Sequence, residues 1–162
     1  MRRTHYTILL VCEGYAEQEL ARVIRDLYLP RDCGTILQPK NSRRGMPHAL
    51  DMAIRLRAQR EYDSYALIVD TDQHWDEAAR SRAQVNDIVV IENAPCLEAT
   101  LLRVDGQTSY QSTSDNKAAF ENVYGGPAHR DGVIRQHFPR TKFDSARERV
   151  ATIDRLLTLI RL

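Results

Sequence analysis

The sequence lacks any apolar run long enough to cross a lipid bilayer. Its first residues, Met1–Arg2–Arg3, do not lead into the apolar segment and small-residue cleavage site of a signal peptide. We therefore expect no membrane segment and no secretory leader. A cytoplasmic location is expected for both reasons.

Cysteine is scarce, with only Cys12, Cys33 and Cys96 in the chain. An odd number of cysteines without a repeated spacing does not favour a disulfide framework or a zinc knuckle. Cys12 also falls inside a run that is predicted to be a buried strand. We expect reduced thiols, as in cytosolic proteins.

The chain has no excess of either charge, since 23 Lys and Arg residues face 22 Asp and Glu residues, for a formal net charge of +1. The whole-chain charge gives no case for a nucleic-acid partner, so any such surface must be a local patch. Hydrophobic residues make up 43% and charged residues 28%, which is typical of a globular protein. With 162 residues and no internal repeat, one domain with a single core is expected.

Two apolar runs that end in acidic residues organise the sequence: Ile8–Gly14 and Leu67–Asp72. Runs of Ile, Leu and Val without alternation predict strands that are buried on both faces of a parallel sheet. Ligand sites of such sheets lie beyond the carboxyl ends of the strands. Glu13, Asp70 and Asp72 are therefore expected at one edge, where a divalent cation would neutralise their mutual repulsion.

A second interpretation remains for each run. Glu13 is then a turn residue at a strand end, and Asp70 and Asp72 are helix caps. Neither run decides the matter alone, but the two together favour a site. His74, beside the acidic turn, is either a ligand or only a neighbour.

Two further acids are expected near helix starts at the same edge. Glu17 falls in the first turn of a helix predicted over about 16–29, and Glu98 follows Asn93–Leu97 at the start of another helix. Glu17 either complements the positive end of its helix or is aimed toward Glu13.

A basic segment, residues 40–47, follows the second predicted strand. Lys40, Arg43 and Arg44 are candidate phosphate contacts because the segment falls at the same sheet edge. The alternative is a solvated loop without a ligand.

These patterns predict an α/β fold with a central four-stranded, mainly parallel sheet and helices on both faces. The predicted strand order is second, first, third, fourth, because right-handed crossovers must bring Glu13 and Asp70 onto neighbouring strands. Residues 1–104 form the predicted α/β core, and residues 105–162 form a helical extension that packs on the same domain. The predicted strands are one that ends near Glu13 and three more at residues 35–38, 65–71 and 87–92. The predicted helices cover residues 16–29, 47–59, 74–84, 115–124 and 144–162, and one more helix begins at about residue 93.

The last of these helices carries apolar residues at steps of three and four, from Phe143 through Val150 and Leu157 to Ile160. This stripe either covers the sheet or pairs with a second subunit as a homodimer contact.

The order and spacing of the motifs resemble a TOPRIM domain, the metal-dependent module of topoisomerases, bacterial primases, recombination proteins and OLD-type nucleases. The RloB-like group is the closer likeness. Three segments carry the resemblance within residues 7–104: Val11–Glu17 is similar to a Glu-Gly-x-x-Glu opening, Asp70–Asp72 to an Asp-x-Asp strand end, and Asn93–Glu98 to an Asn-Pro-Cys-x-Glu helix start. Ala94 interrupts the last motif.

The resemblance implies a TOPRIM-like fold, a Mg²⁺ or Mn²⁺ cofactor and phosphodiester chemistry. It implies that Glu13 acts as a metal-associated acid or base and that Asp70 and Asp72 hold the metal. Glu17 is similar to the second acid of OLD-type sites, and Glu98 to the RloB-like helix acid. Lys117 is assigned as a catalytic positive charge.

Oxygen ligands without a Cys/His cluster suit a hard cation, which activates water and polarises a phosphodiester. The expected function is a metal-dependent nuclease or phosphodiesterase that acts on nucleic acid or a small phosphodiester. Two alternatives remain open. One is a metal-dependent nucleotide or nucleic-acid binding module without catalysis. The other, drawn from the resemblance, is a nuclease subunit that works in phage defence with an ATPase partner chain.

Overall fold

The computed structural model describes residues 5–161 and places a four-stranded, all-parallel sheet at the centre of an α/β fold. Met1–Arg2–Arg3 and the last residue of the predicted final helix, Leu162, lie outside the described residues. The strands are β1 (Tyr6–Cys12), β2 (Thr35–Asn41), β3 (Ser64–Asp70) and β4 (Val89–Asn93). Their order is β2-β1-β3-β4, which confirms the predicted topology.

The register aligns the carboxyl ends of the strands along one edge. Cys12 lies opposite Asn41 of β2 and Ile68 of β3, while Asp70 lies opposite Asn93 of β4. The residues that follow β1 and β3 therefore emerge side by side, as the acid-terminated runs predict.

Eight helices are described in residues 5–161: α1 (Tyr15–Tyr28), α2 (Met46–Gln59), α3 (Glu77–Val85), α4 (Leu97–Val104), α5 (Thr113–Tyr124), α6 (Val133–His137), α7 (Arg140–Ala146) and α8 (Ala151–Leu159). None of the described helices combines the length and the hydropathy that a membrane span requires. Cys12, Cys33 and Cys96 are free thiols.

The buried residues form two apolar clusters, one on each face of the sheet. Along β1, Ile8 and Leu10 join one cluster, while Leu9 and Val11 join the other. This alternation is what a strand covered on both faces requires. The first cluster also contains buried residues of α1, α4 and every helix from α5 to α8, including Leu20, Leu101, Phe120, Ile134, Phe143 and Ile153. Residues beyond 104 thus complete the core of one face.

The single helix predicted over residues 144–162 is wrong, since α7 ends at Ala146 and α8 begins at Ala151. Val150 lies between them with an extended backbone and is buried. The apolar stripe is continuous in sequence, but α7 packs against α4 whereas α8 packs against β4. Two packing partners in different directions require two helix axes. The stripe is buried within this chain, with Ile153, Leu157 and Ile160 all in the first cluster.

Two helix starts and one additional short helix also differ from the sequence prediction. α3 begins at Glu77 rather than His74, because the Asp76 side chain accepts a hydrogen bond from Ala79 N (2.9 Å) and caps the helix there. α4 begins at Leu97 with Cys96 as its N-cap, so Asn93 and Pro95 precede the helix. The short helix α6 carries no strong periodic signal and is absent from the prediction.

Candidate functional site

Four of the predicted acids line one cavity at the carboxyl edge of β1 and β3. The cavity has a volume of about 380 Å³, and its walls include Glu13, Glu17, Asp70 and Glu98. We call it the acidic pocket. Lys117, His129, Tyr15 and Gly45 also contribute to its walls.

Glu13 links the ends of β1 and β3. Its backbone N–H donates to Ile68 O (3.3 Å), and its Oε2 accepts a hydrogen bond from Asp70 N (2.9 Å). Burial raises the pKa of Glu13 and the charge of Asp72 adds to this, while the Asp70 N–H bond, Lys117 and His74 act in the opposite direction. The carboxylate is therefore fixed in place and more basic than a solvent-exposed glutamate.

Glu17 combines the two roles that the sequence left open. Its Oε2 accepts a hydrogen bond from Gly14 N (3.0 Å), which caps α1, and the same side chain lines the acidic pocket. A Cβ atom on Gly14 would lie 3.1 Å from this oxygen, so the close approach requires glycine or a shift of Glu17. Burial is the main reason that the pKa of Glu17 is raised to about 7, and the charges of Glu13 and Glu98 act in the same direction.

Asp70 is the last residue of β3, and it lies in the most unfavourable electrostatic environment of the group. Its Oδ1 is buried and has no hydrogen-bond partner among the described residues. Burial, together with the negative charges of Glu17, Glu13 and Glu98, raises the pKa of Asp70 to about 10. A buried carboxylate oxygen without a partner is costly, which makes Asp70 the residue that most needs a ligand.

Glu98 reaches the pocket because a turn ties the end of β3 to the start of α4. Thr71 N donates to Asn93 O (2.9 Å) and to Pro95 O (3.1 Å), and this turn places Glu98 in the first helical turn. Glu98 is buried. Three acids from three different segments thus meet Asp70 across the sheet edge.

Asp72 lies apart from the other four acids. β3 ends at Asp70 rather than Thr71, so the extended geometry that would turn both aspartates the same way does not continue. Asp72 is exposed, does not line the pocket, and accepts a hydrogen bond from Thr113 Oγ1 of α5 (2.7 Å). Its charge still raises the pKa of Glu13 and of Asp70.

The residues present fit a hard cation in their donor chemistry. The four pocket acids offer only oxygen ligands, and the buried Asp70 Oδ1 has no other partner within residues 5–161. Over the same residues, no three Asp, Glu, His or Cys side chains already stand as a ligand set for one ion. Glu13 and Glu17 each direct one oxygen to a backbone N–H instead. The metal site therefore remains a prediction, which would require these side chains to reorient.

The pocket also contains cationic and aromatic groups. Lys117 enters it from α5, as the sequence assignment requires, although its catalytic role remains a prediction. Sequence reasoning missed His129, which sits in a turn-rich segment without a motif, and Tyr15, whose side chain is 57% exposed at the start of α1. Only its position directly after Glu13–Gly14 could have indicated that Tyr15 lies at the pocket.

The basic segment is attached to the backbone of Glu13. Ser42 is buried, its N–H donates to Cys12 O (2.9 Å) and its hydroxyl donates to Glu13 O (3.0 Å). Arg43 and Arg44 are exposed beside this anchor. Lys40 is also exposed, but it lies within β2 because the strand extends to Asn41 rather than ending at 38.

We expect the triple replacement of Lys40, Arg43 and Arg44 by alanine to weaken nucleic-acid binding. Each lost phosphate contact should lower the log–log salt slope of the binding constant by about 0.7 for a single strand or about 0.9 for a duplex. Turnover at saturating substrate should change much less, because a phosphate contact positions the strand without joining the reaction. Filter binding at several salt concentrations gives the binding constant and its salt slope, and a rate assay at saturating substrate gives the turnover. The Arg31→Ala/Arg55→Ala protein is the control, and equal behaviour of the two proteins would identify the segment as solvated surface.

A larger cavity of about 530 Å³ lies along β4, lined by residues that include Arg80, Asp87 and Glu92. Glu92 is already paired there, since it accepts hydrogen bonds from Arg80 Nε (2.7 Å) and Trp75 Nε1 (2.6 Å). Among the described residues, this cavity therefore has no cluster of unpaired acids, and size alone does not make it the site.

Comparisons of the chain with family models, with curated proteins and with solved structures find no match. The likeness to TOPRIM domains therefore depends on three short motifs and their order. The function must be inferred from the chemistry of the acidic pocket itself.

Proposed function

We propose that the protein is a Mg²⁺- or Mn²⁺-dependent phosphodiesterase of TOPRIM type that cleaves nucleic acid. One observation carries the proposal: four carboxylates line a single pocket, and one of them, Asp70, has a buried oxygen without a partner among the described residues. The four acids come from the residue after β1, from α1, from the end of β3 and from α4, so they meet only when the sheet and both helices are assembled.

A purely structural role does not account for this pocket. Burying carboxylates is unfavourable unless cations or hydrogen bonds compensate. The described residues of the pocket walls include four acids, whereas Lys117 is the only Lys or Arg among them. Helix capping explains Glu17 and the Asp70 N–H bond explains one oxygen of Glu13, but neither explains Asp70 or Glu98.

A bound divalent cation would supply Lewis-acid polarisation of the phosphodiester and a more acidic water. Glu13, Glu17, Asp70 and Glu98 are the residues that would hold it. We assign proton acceptance from the attacking water to Glu13 Oε1, since Oε2 is held by Asp70 N.

Two side chains at the pocket have functions that the acids do not supply. Lys117 carries the positive charge that stabilises the negative charge developing on the phosphoryl oxygens. Tyr15 lines the pocket and is largely exposed, so a base next to the scissile phosphate could stack on its ring. The tyrosine favours a nucleic-acid substrate over a phosphoester without a base.

The proposal is tested by incubating the protein with Mg²⁺, Mn²⁺ or EDTA and with labelled single-stranded DNA, duplex DNA, RNA and bis(4-nitrophenyl) phosphate. We expect metal-dependent hydrolysis of at least one substrate by the wild-type protein and none by Glu13→Gln. Metal-dependent binding of these substrates without any hydrolysis would overturn the catalytic proposal. In that case the chain is a binding module, or a subunit that needs an ATPase partner.

Replacing Lys117 by methionine should lower kcat by about 10²- to 10³-fold with little change in KM, as for the loss of one electrostatic contact to the transition state. Lys117→Arg should recover part of the rate. Steady-state kinetics on the best substrate provide the measurement. Lys142→Met is the matched control, because Lys142 pairs with Asp105 (2.6 Å) at the far end of α4. Equal losses in the two methionine variants would contradict the catalytic role.

A further inference from the structure

A second group of cations lies at the carboxyl end of β4, outside the acidic pocket. Arg103, Arg149 and Arg155 line a cavity of about 350 Å³ together with Glu92 and the first residues of α8. We call it the arginine pocket. None of these residues has a role in the proposed chemistry.

The pocket is built by contacts that hold two of its arginines in place. Arg103 Nη2 donates to Ala94 O (2.8 Å), and Arg149 donates to Val104 O (2.6 Å) and to Arg103 O. A guanidinium has five N–H donors, so each side chain keeps donors for a ligand. Planar, forked donors of this kind match the oxygens of a phosphate.

The local charge is not balanced by the described part of the chain. Glu92 is the only carboxylate that residues 5–161 contribute to the walls of the arginine pocket, and it already accepts hydrogen bonds from Arg80 and Trp75. The three arginines therefore lie near a single carboxylate, Glu92, and the hydrogen bonds of Glu92 are made with Arg80 and Trp75 instead. A cavity with this surplus of positive charge attracts an anion.

The position of the pocket relates it to the acidic pocket. Thr152 Oγ1 donates to Glu92 O (2.7 Å), which ties the start of α8 to the end of β4. Ala94 lines the arginine pocket, while the next residue, Pro95, accepts hydrogen bonds through its carbonyl from Thr71 N and Asp72 N. The turn between β4 and α4 thus separates the arginines from the Asp-x-Asp turn.

The carboxyl edge of the sheet therefore carries alternating charge. The basic segment follows β2, the acidic pocket lies at β1 and β3, and the arginine pocket lies at β4. With strands about 4.8 Å apart, the two outer strands are about 14 Å apart. In duplex geometry this is roughly the axial length of four nucleotides of one strand.

We propose that the arginine pocket binds a phosphate of the same nucleic-acid strand whose scissile phosphodiester occupies the acidic pocket. The strand then runs across the sheet edge from the basic segment to the arginines, with phosphates held on both sides of the site. The substrate class is an internal phosphodiester of a polynucleotide, so cleavage is endonucleolytic. This inference builds on the proposed function and adds the path of the substrate.

The test uses Arg155→Gln, because Arg103 and Arg149 also hold backbone carbonyls and Arg155 is exposed at the pocket. Binding of a 12-nucleotide single strand is measured with Mg²⁺ on a Glu13→Gln background, which prevents cleavage. We expect Arg155→Gln to weaken binding about 3- to 10-fold and to lower the salt slope by about 0.7. Arg155→Lys should recover most of the affinity.

Arg31→Gln is the matched control, since Arg31 is exposed between α1 and β2 at the opposite edge of the sheet. Equal effects of Arg155→Gln and Arg31→Gln would overturn the proposal. The proposal would also be overturned if Arg155→Gln lost binding to inorganic phosphate or a mononucleotide as much as it lost binding to the strand. The arginine pocket would then be a site for a free anion. Cleavage of the 12-mer only from its ends by the wild-type protein would also contradict it.

Hydrolysis of bis(4-nitrophenyl) phosphate separates this inference from the proposed function. This substrate is too short to reach the arginine pocket, so Arg155→Gln should leave its rate unchanged. Loss of strand binding with normal hydrolysis supports the substrate path. Absence of hydrolysis of nucleic acid and of bis(4-nitrophenyl) phosphate by the wild-type protein, together with Arg155-dependent strand binding, would remove the catalytic proposal and leave the strand path in place.

Discussion

Asp70→Asn and Glu13→Gln should each lower metal-dependent hydrolysis by about 10³-fold or more. Both replacements keep the shape of the side chain and remove one negative charge from the acidic pocket. Metal-ion catalysis is worth several kcal/mol, and each 1.36 kcal/mol is a factor of ten in rate. Asp72→Asn should have the same direction of effect, as the Asp-x-Asp resemblance implies, although Asp72 does not line the pocket and accepts a hydrogen bond from Thr113.

The same variants should remain folded, and Asp70→Asn should melt higher than the wild-type protein when no metal is present. The replacement removes a buried acid whose Oδ1 has no partner among the described residues and whose charged form is disfavoured by burial and by Glu17, Glu13 and Glu98, so folding no longer requires this group to keep a proton. Calorimetry in EDTA measures the melting temperature, and the hydrolysis assay measures the rate. Unfolding of the Asn variant would show instead that the acids are structural caps.

Stability of the metal-free protein should fall as the pH rises from 5.5 to 8.5. Burial raises the pKa of Asp70 to about 10 and that of Glu17 to about 7, so the folded state holds these protons more tightly than the unfolded chain does. Stabilisation from a raised carboxyl pKa is complete below the unfolded value of about 4 and is lost as the pH approaches the folded value.

The expected loss over this range is a few kcal/mol, or about 5 to 10 °C in Tm for a chain of this size. Carboxylates with a lowered pKa do not produce this trend. For Asp26 and Asp105, burial is outweighed by hydrogen bonds from Arg135 and Lys142, which lower the pKa. Their contribution is therefore constant above about pH 5 and is lost only in more acidic solution.

Adding Mg²⁺ or Mn²⁺ should restore stability, with a larger gain at pH 8.5 than at pH 5.5, because the cation competes with the protons for the same oxygens. Asp70→Asn should show a flatter pH profile and little gain from metal. Asp51→Asn, which loses an exposed carboxylate paired with Arg82, should behave as the wild-type protein does. A pH-independent Tm in EDTA would contradict the electrostatic description of the pocket.

The sheet and the convergence of four acids could be predicted from the sequence because both depend on local patterns. Apolar runs without alternation predicted buried parallel strands, and the acids at their ends had to reach one edge. Glu17 and Glu98 could be placed because each falls in the first turn of a helix that follows such a strand.

The rest depended on tertiary contacts that no local pattern encodes. The final apolar stripe predicted one helix, but separate neighbours for α7 and α8 divide it at Val150. Asp72 was placed beside Asp70 by assuming continued extended geometry, whereas β3 ends one residue earlier than predicted. His129 and the arginine pocket combine residues that are far apart in the sequence, so their proximity appears only once the helices are packed.

Helix α5 brings a residue from the C-terminal third of the chain into the acidic pocket. Phe120 and Tyr124 pack its inner side into the core, Lys117 enters the acidic pocket, and Thr113 holds the carboxylate of Asp72. The first 104 residues supply the four acids of the pocket, whereas its lysine comes from the segment beyond them. The four acids and the lysine therefore share one cavity only when residues beyond 104 are packed on the α/β core. Replacement of residues 105–162 would remove the lysine from the pocket and leave its four acids in place.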